Sequence, residues 1–177
     1  LFGESLHDEW KSRKDKYIWR EDPPGSTPPD DWEIDKEYKT KIKSKQLKDP
    51  GKMLEDRVWQ LLYNAGCTSL NSRPFLIDDS GTNREIDIIA ADENFVFYCE
   101  CKYRGGKPSR WGNFESEISK LVKRKELIFK FNKQHFQGKK PIFCFITENI
   151  LLDKHKTDIK YAEKNKVKVF DEYDIDA

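Results

Sequence analysis

Two apolar runs joined by a short polar link constrain this chain more than any other feature. They are Glu85-Ile-Asp-Ile-Ile-Ala90 and Phe95-Val-Phe-Tyr-Cys-Glu-Cys-Lys102, with Ala91-Asp-Glu-Asn94 between them. Runs rich in β-branched and aromatic residues, separated by so few polar ones, predict a β-hairpin. Successive side chains of a strand point to opposite faces, so Asp87 shares a face with Glu85 and Ile89, and Glu100 with Tyr98 and Lys102. Cys99 and Cys101 then point the other way. In a hairpin of this register Asp87 and Glu100 converge at the open end.

Two carboxylates on one face with no apolar cover repel each other. A hard cation removes the conflict: Mg²⁺ takes oxygen ligands at about 2.0–2.1 Å and keeps several waters. Such an ion lowers the pKa of a bound water and neutralises charge developing on a phosphate. Lys102, two residues beyond Glu100, is placed to orient the attacking water or to stabilise transition-state charge. Glu55 is the fourth candidate, on an expected helix whose anchors Leu54, Val58, Leu61 and Leu62 recur at helical spacing until Gly66. It reads either as a metal-reaching group at the edge of the buried face or as an ordinary surface glutamate. Asp56 is the weaker substitute, turned by about 100° on the same helix.

The remaining pattern supplies the elements around this hairpin. A first strand is expected over Arg73 to Ile77. After the Gly105-Gly106 loop, one helix is expected from about Asn113 to Asn132. The apolar run Pro141 to Thr147 reads as a buried strand. A polar helix from Asp153 to Asn165 and a short strand from Lys166 to Phe170 complete an order α-β-β-β-α-β-α-β. This unit, residues 49–177, is an α/β domain with a central mixed sheet flanked by helices. Residues 1–48 form a separate N-terminal extension. Trp10, Trp19 and Trp32 are spread among charges there, and a Pro-rich break runs from Asp22 to Asp30. Asp30 or Asp31 is a candidate cap for a short helix continuing toward Lys48. The tryptophans are expected to pack on the main domain rather than to meet a partner.

Net charge is only +1, but its distribution is uneven: from Lys102 to Lys140 there are 12 Lys and Arg against three Glu and no Asp. A basic block directly after an acidic site suits an enzyme that holds a polyanion. Lys120, Lys123 and Arg124 on the helix, and Arg104, Lys107 and Arg110 in the preceding loop, are the candidate phosphate contacts, with a plainly solvated face as the other reading. Such contacts bind without reading sequence. Trp111 is expected to anchor the helix rather than to stack on a base. Cys67, Cys99, Cys101 and Cys144 lack the spacing of a zinc pair and read as buried small hydrophobes, which fits a reducing compartment. No apolar stretch approaches the roughly 20 residues of a membrane span, so no membrane partner is expected and a cytoplasmic protein is. The chain opens on Leu rather than Met, which points to a piece of a longer protein.

Asp87, twelve intervening residues and Glu100-Cys101-Lys102 resemble the D-x(n)-(D/E)-x-K motif of the PD-(D/E)XK nuclease superfamily. The element order over residues 50 to 170 is similar to the restriction-endonuclease-like core, α-β-β-β-α-β with an added α-β. The approach to Glu55 looks most like the Mrr-type and Holliday-junction-resolvase-like branches, although Ile86 rather than Pro precedes Asp87 and no Gln-x-x-x-Gln signature follows. The resemblance implies an endonuclease using Mg²⁺ or Mn²⁺, with DNA favoured over RNA and products ending in 5′-phosphate and 3′-hydroxyl. It implies catalytic Asp87, Glu100, Lys102 and Glu55, and a metal held by Asp87, Glu100, Glu55 and the Cys101 backbone carbonyl. Cutting both strands would need a homodimer or two successive events. Three settings stay open: the effector of a host-defence system, a repair enzyme, and part of a mobile element. Two other readings stay open: a catalytically silent nucleic-acid-binding module on this fold, and an RNA-directed nuclease.

Overall fold

The computed structural model of the protein describes residues 5–76 and 85–176. Ile77, the expected end of the first strand, lies outside them. The main unit opens with α2 (Pro50–Asn64). Asp49 caps it, accepting from the Lys52 backbone N–H, with Pro50 in the first turn, where a missing N–H costs nothing. The strands that follow build a five-stranded mixed sheet in the order β10-β9-β8-β7-β4, where β4 is Ser69–Leu70, β7 Ile88–Ala91, β8 Phe95–Tyr103, β9 Lys140–Glu148 and β10 Val167–Phe170. β4 pairs antiparallel with β7 and β7 antiparallel with β8, whereas β8, β9 and β10 are mutually parallel.

The expected hairpin is present. Ile88 faces Cys99 and Ala91 faces Val96 across it, and Asp92 holds the turn by accepting from the backbone N–H groups of Asn94 and Phe95. Alternation along β8 and β9 splits the core into two layers. Tyr98, Phe143 and Phe145 face α3 (Phe114–Lys123), α4 (Lys125–His135) and α5 (Lys156–Lys164), burying Phe114, Ile118, Leu121, Ile128 and Ala162. Cys99, Cys101, Cys144 and Ile146 face α2, burying Leu54, Val58 and Trp59. All four cysteines are buried and free, as their spacing suggested.

Three expectations change. The strand expected over Arg73 to Ile77 does not join the main sheet: its Phe75–Leu76 is β5, in a small ribbon with β6 (Glu85–Ile86), and the strand beside β7 is instead the upstream Ser69–Leu70, β4. The single helix from Asn113 to Asn132 is two, because the chain tightens at Arg124, whose N–H bonds to Leu121 three residues back. The helix expected after Asp31 is absent. That stretch alternates with period two, and it forms β2 (Glu33–Glu37) and β3 (Ile42–Leu47), with Ile42 and Ser44 buried between Lys43 and Lys45.

With β1 (Tyr17–Asp22), these strands form a three-stranded antiparallel sheet in the order β1-β3-β2, and the Pro-rich break is the link from β1 to β2. Helix α1 (Leu6–Lys14) packs on α2. Trp10 tilts against Tyr63 of α2, whereas Trp19 remains 38% exposed, so of the three tryptophans expected to pack on the main domain Trp10 does and Trp19 does not. Among the described residues no helix is long and apolar enough to cross a membrane.

Candidate active site

Asp87 sits where the strand breaks, between β6 and β7. Asn71 makes the break. Its side-chain amide donates to the carbonyls of Arg73 (2.7 Å) and Asp87 (3.0 Å), and its oxygen accepts from the Ile89 N–H at 2.7 Å. Asn71 is only 3% exposed, and its own carbonyl accepts from the Trp59 indole of α2. One buried amide thus replaces the ladder bonds a continuous strand would make, as buried backbone groups require. Freed from the pleat, the Asp87 carboxylate accepts from the Cys101 backbone N–H at 2.7 Å. The N–H and carbonyl of one residue in an extended strand point to the same edge, so the Cys101 carbonyl is turned to this edge as well.

Glu100 is buried beside it. One carboxylate oxygen lies 2.9 Å from Lys102 Nζ and the other 3.1 Å from the Arg124 guanidinium, which also donates to the Glu85 carbonyl at 2.7 Å. Burial, then the charge of Glu100, pushes the Asp87 carboxyl up to about 7, with Glu55 adding to the rise and the Cys101 N–H and Lys102 opposing it. For Lys102, burial works to lower the pKa, but Glu100, by charge and hydrogen bond, together with Asp87 and Glu117, raises it overall and keeps the ammonium charged. Burial and the surrounding carboxylates push the Cys101 thiol well up, which leaves it inert as a nucleophile.

The structure brings Asp87, Glu100, Lys102 and the Cys101 backbone together. Glu55 is near enough for its charge to act on Asp87, and its own carboxylate pairs with Lys52 at 2.9 Å. Asp56 turns away from the site. It is buried between Arg13 and Lys48, each at 2.7 Å, and holds the N-terminal segment to α2.

The basic residues divide. Arg124, expected on a phosphate-facing helix surface with Lys120, instead reaches into the site from the α3–α4 junction. The physical reason is the buried charge of Glu100, whose second carboxylate oxygen Arg124 takes while Lys102 takes the first. Lys120 is exposed and pairs with Glu117 on α3, and Lys123 is exposed. Arg104 donates to the Arg110 carbonyl at 2.7 Å and so ties the loop after β8, in which Lys107 and Arg110 are exposed. Trp111, half-buried, packs against the core, as expected of an anchor. Asn71, the role of Arg124 and the field of Glu117 were not evident in the sequence.

Among the described residues no three His, Cys, Asp or Glu side chains form a ready-made metal cage. The donors here are two carboxylates, a third carboxylate at longer range and a backbone carbonyl. That is an all-oxygen set, and it fits a hard, partly hydrated cation rather than a soft one.

No family model matches the chain, and no curated protein matches it. Among solved structures, one described as "Crystal Structure of Protein of Unknown Function AF1548" is similar to it, with 16% identity and a TM-score of 0.42, over 64% of this chain and 54% of that one. The match therefore spans about half the length of that structure.

Proposed function

We propose that the protein is a metal-dependent nuclease that hydrolyses phosphodiester bonds, with DNA as the favoured substrate and Asp87, Glu100 and Lys102 as its reacting centre. The observation that carries this reading is geometric. An aspartate at a strand break and a buried glutamate converge on one edge of the sheet, and a lysine touches the glutamate at 2.9 Å. The element order supports a restriction-endonuclease-like core: helix α2, antiparallel β4, β7 and β8, helices α3 and α4, then β9 parallel beside β8 and an added α5-β10.

Asp87, Glu100 and the Cys101 carbonyl would hold a Mg²⁺ or Mn²⁺ ion, with Glu55 as an outer carboxylate. The bound ion would supply an activated water and charge neutralisation at the phosphate. The chain's own residues do the rest. Asn71 fixes where the Asp87 carboxylate stands. Arg124 holds Glu100 from the far side, so one carboxylate oxygen faces Lys102 in a defined direction. Lys102 keeps its proton beside the acidic pair and can donate to a phosphate oxygen as negative charge builds there, where a preset donor is most effective.

A catalytically silent binding module is the competing reading, and one observation favours it: both oxygens of Glu100 already have a cationic partner. Incubating the pure protein with labelled duplex DNA, single-stranded DNA and RNA in Mg²⁺, Mn²⁺ or EDTA separates the readings. The expected result is cleavage of DNA with either ion and none in EDTA. Undiminished cleavage in EDTA contradicts the mechanism, cleavage of RNA alone reassigns the substrate, and binding without cleavage in any metal supports the silent module.

A further inference from the structure

The N-terminal sheet presents one face that its packing does not explain. Alternation and register put Tyr17, Trp19 and Glu21 of β1 and Lys43, Lys45 and Leu47 of β3 on it, together with Glu33 and Lys36 of β2 and Tyr38 just beyond that strand. The three rings are large and open to water, at 36% exposure for Tyr17, 38% for Trp19 and 42% for Tyr38. Each lies under a lysine: Lys43 Nζ is 4.0 Å from the Trp19 ring, Lys45 is 5.2 Å from Tyr17 and Lys36 is 5.1 Å from Tyr38. Lys36 and Lys43 are also directly opposed across β2 and β3. Like charges facing each other across a strand pair destabilise it. Lys45 is relieved in part by Asp35 at 3.3 Å and Lys43 lies opposite Glu21 across β1 and β3, while among the described residues Lys36 forms no ion pair with a carboxylate. The Trp19 ring is held in place, since its indole N–H donates to Asp15 at the head of β1.

We propose that this face binds a single strand of nucleic acid, with unpaired bases stacking on Trp19, Tyr17 and Tyr38 and phosphates meeting Lys36 and Lys43. Lysines and carboxylates nearly balance on this face, with Glu21, Glu33 and Asp35 beside Lys36, Lys43 and Lys45, so the exposed rings rather than net charge select the ligand. A duplex hides the faces of its bases and could use only the lysines, and an acidic peptide offers no planar groups to stack. Aromatic stacking is tolerant of sequence, and backbone-tracking lysines are equally so. The face is also fixed to the helix that carries Glu55. β3 runs through Lys48 into Asp49 and α2, and Lys48 and Arg13 both grip Asp56, the next residue after Glu55. A strand held here would therefore be tethered to the candidate active site. That delivery role rests on the nuclease reading, but the binding itself does not.

The test is affinity in EDTA, where no cleavage intervenes, read by fluorescence anisotropy of labelled oligo(dT) and of a matched duplex. The full chain should bind oligo(dT) more tightly than the duplex. Trp19→Ala should weaken oligo(dT) binding about tenfold, since a stacked base contributes roughly 1–3 kcal/mol, and should leave duplex binding unchanged. Trp19→Phe should restore most of that affinity. Replacing Lys36 and Lys43 by Gln should make the salt dependence shallower by about 0.7 for each phosphate no longer neutralised. Circular dichroism checks that each variant folds, and Tyr38→Ala takes the place of Trp19→Ala should that variant unfold. Wild-type affinity in folded Trp19→Ala and Tyr38→Ala overturns the proposal, and so does displacement of oligo(dT) by poly-glutamate as readily as by unlabelled oligo(dT). A protein that passes this test but cuts nothing in Mg²⁺ would contradict the nuclease reading and leave the binding face standing.

Discussion

At the residue scale, Asp87 bears the least favourable charge of the site, because burial and Glu100 together push its carboxyl to about 7 from an ordinary value of 3.8. The consequence for stability has a definite sign. Between those two values the folded protein holds a proton that the unfolded chain releases. This group's stabilising contribution is therefore complete at low pH and is lost as pH rises through about 7. Asp87→Asn keeps an oxygen to accept from the Cys101 N–H and removes the charge. In EDTA, the variant should melt higher than wild type at pH 8, by roughly 2–4 °C per kcal/mol recovered, the gap should narrow as pH falls, and the two should converge only at about pH 4 and below. Equal melting temperatures across that range would show that Asp87 ionises freely. Asp87, Glu100 and Lys102 were legible in the sequence because strand alternation places them without reference to anything distant. Arg124 was not, since its partner lies 24 positions away and a basic residue on a helix reads equally well as a solvated one.

At the element scale, the decisive feature is an interruption. A continuous strand over Glu85 to Ala90 would leave Asp87 in the pleat. The break between β6 and β7 lets its carboxylate reach Cys101. Asn71 enforces the break through three hydrogen bonds, so Asn71→Ala leaves the Ile89 N–H and the Asp87 carbonyl without that partner. An orphaned buried group costs about 1–3 kcal/mol. The variant should lose stability on that order in a urea titration and lose turnover beyond it, with substrate affinity kept. Loss of stability with full turnover would mean that Asn71 supports the fold and not the site. The sequence showed the hairpin, the long buried strand and the helix carrying Glu55, all of which have strong local periodicity. It did not show the split at Arg124, which tertiary charge pairing favours, nor the short β4. The stretch after Asp31 misleads because the acid at its start resembles a helix cap, while the period-two alternation of Ile42-Lys-Ser-Lys-Gln-Leu47 decides the outcome.

At the scale of the whole molecule, the N-terminal segment and the α/β unit are joined by buried charge. Asp56 of α2 pairs with Arg13 from α1 and Lys48 from the end of β3, and all three side chains are largely out of water. Removing one partner from a buried ion cluster leaves uncompensated charge and costs roughly 3–5 kcal/mol. Asp56→Ala should therefore loosen the N-terminal segment from α2, and limited proteolysis should cut before residue 50 at a much higher rate than in wild type. Unchanged protection of that segment would place the attachment elsewhere, in the packing of Trp10 on Tyr63. The reading of residues 1–48 as a separate extension captures the change in composition. It misses this attachment because Arg13, Lys48 and Asp56 carry no local signal distinguishing them from surface charges.

The central claim is that Asp87, Glu100 and Lys102 form a reacting centre for phosphodiester hydrolysis. The most direct measurement compares wild type with Lys102→Ala on labelled duplex DNA in Mg²⁺, with turnover and affinity read separately. Lys102 acts where charge builds in the transition state, so the account predicts a loss of turnover of about 100-fold or more with affinity essentially unchanged. A Lys102→Ala protein that cuts at the wild-type rate would contradict it.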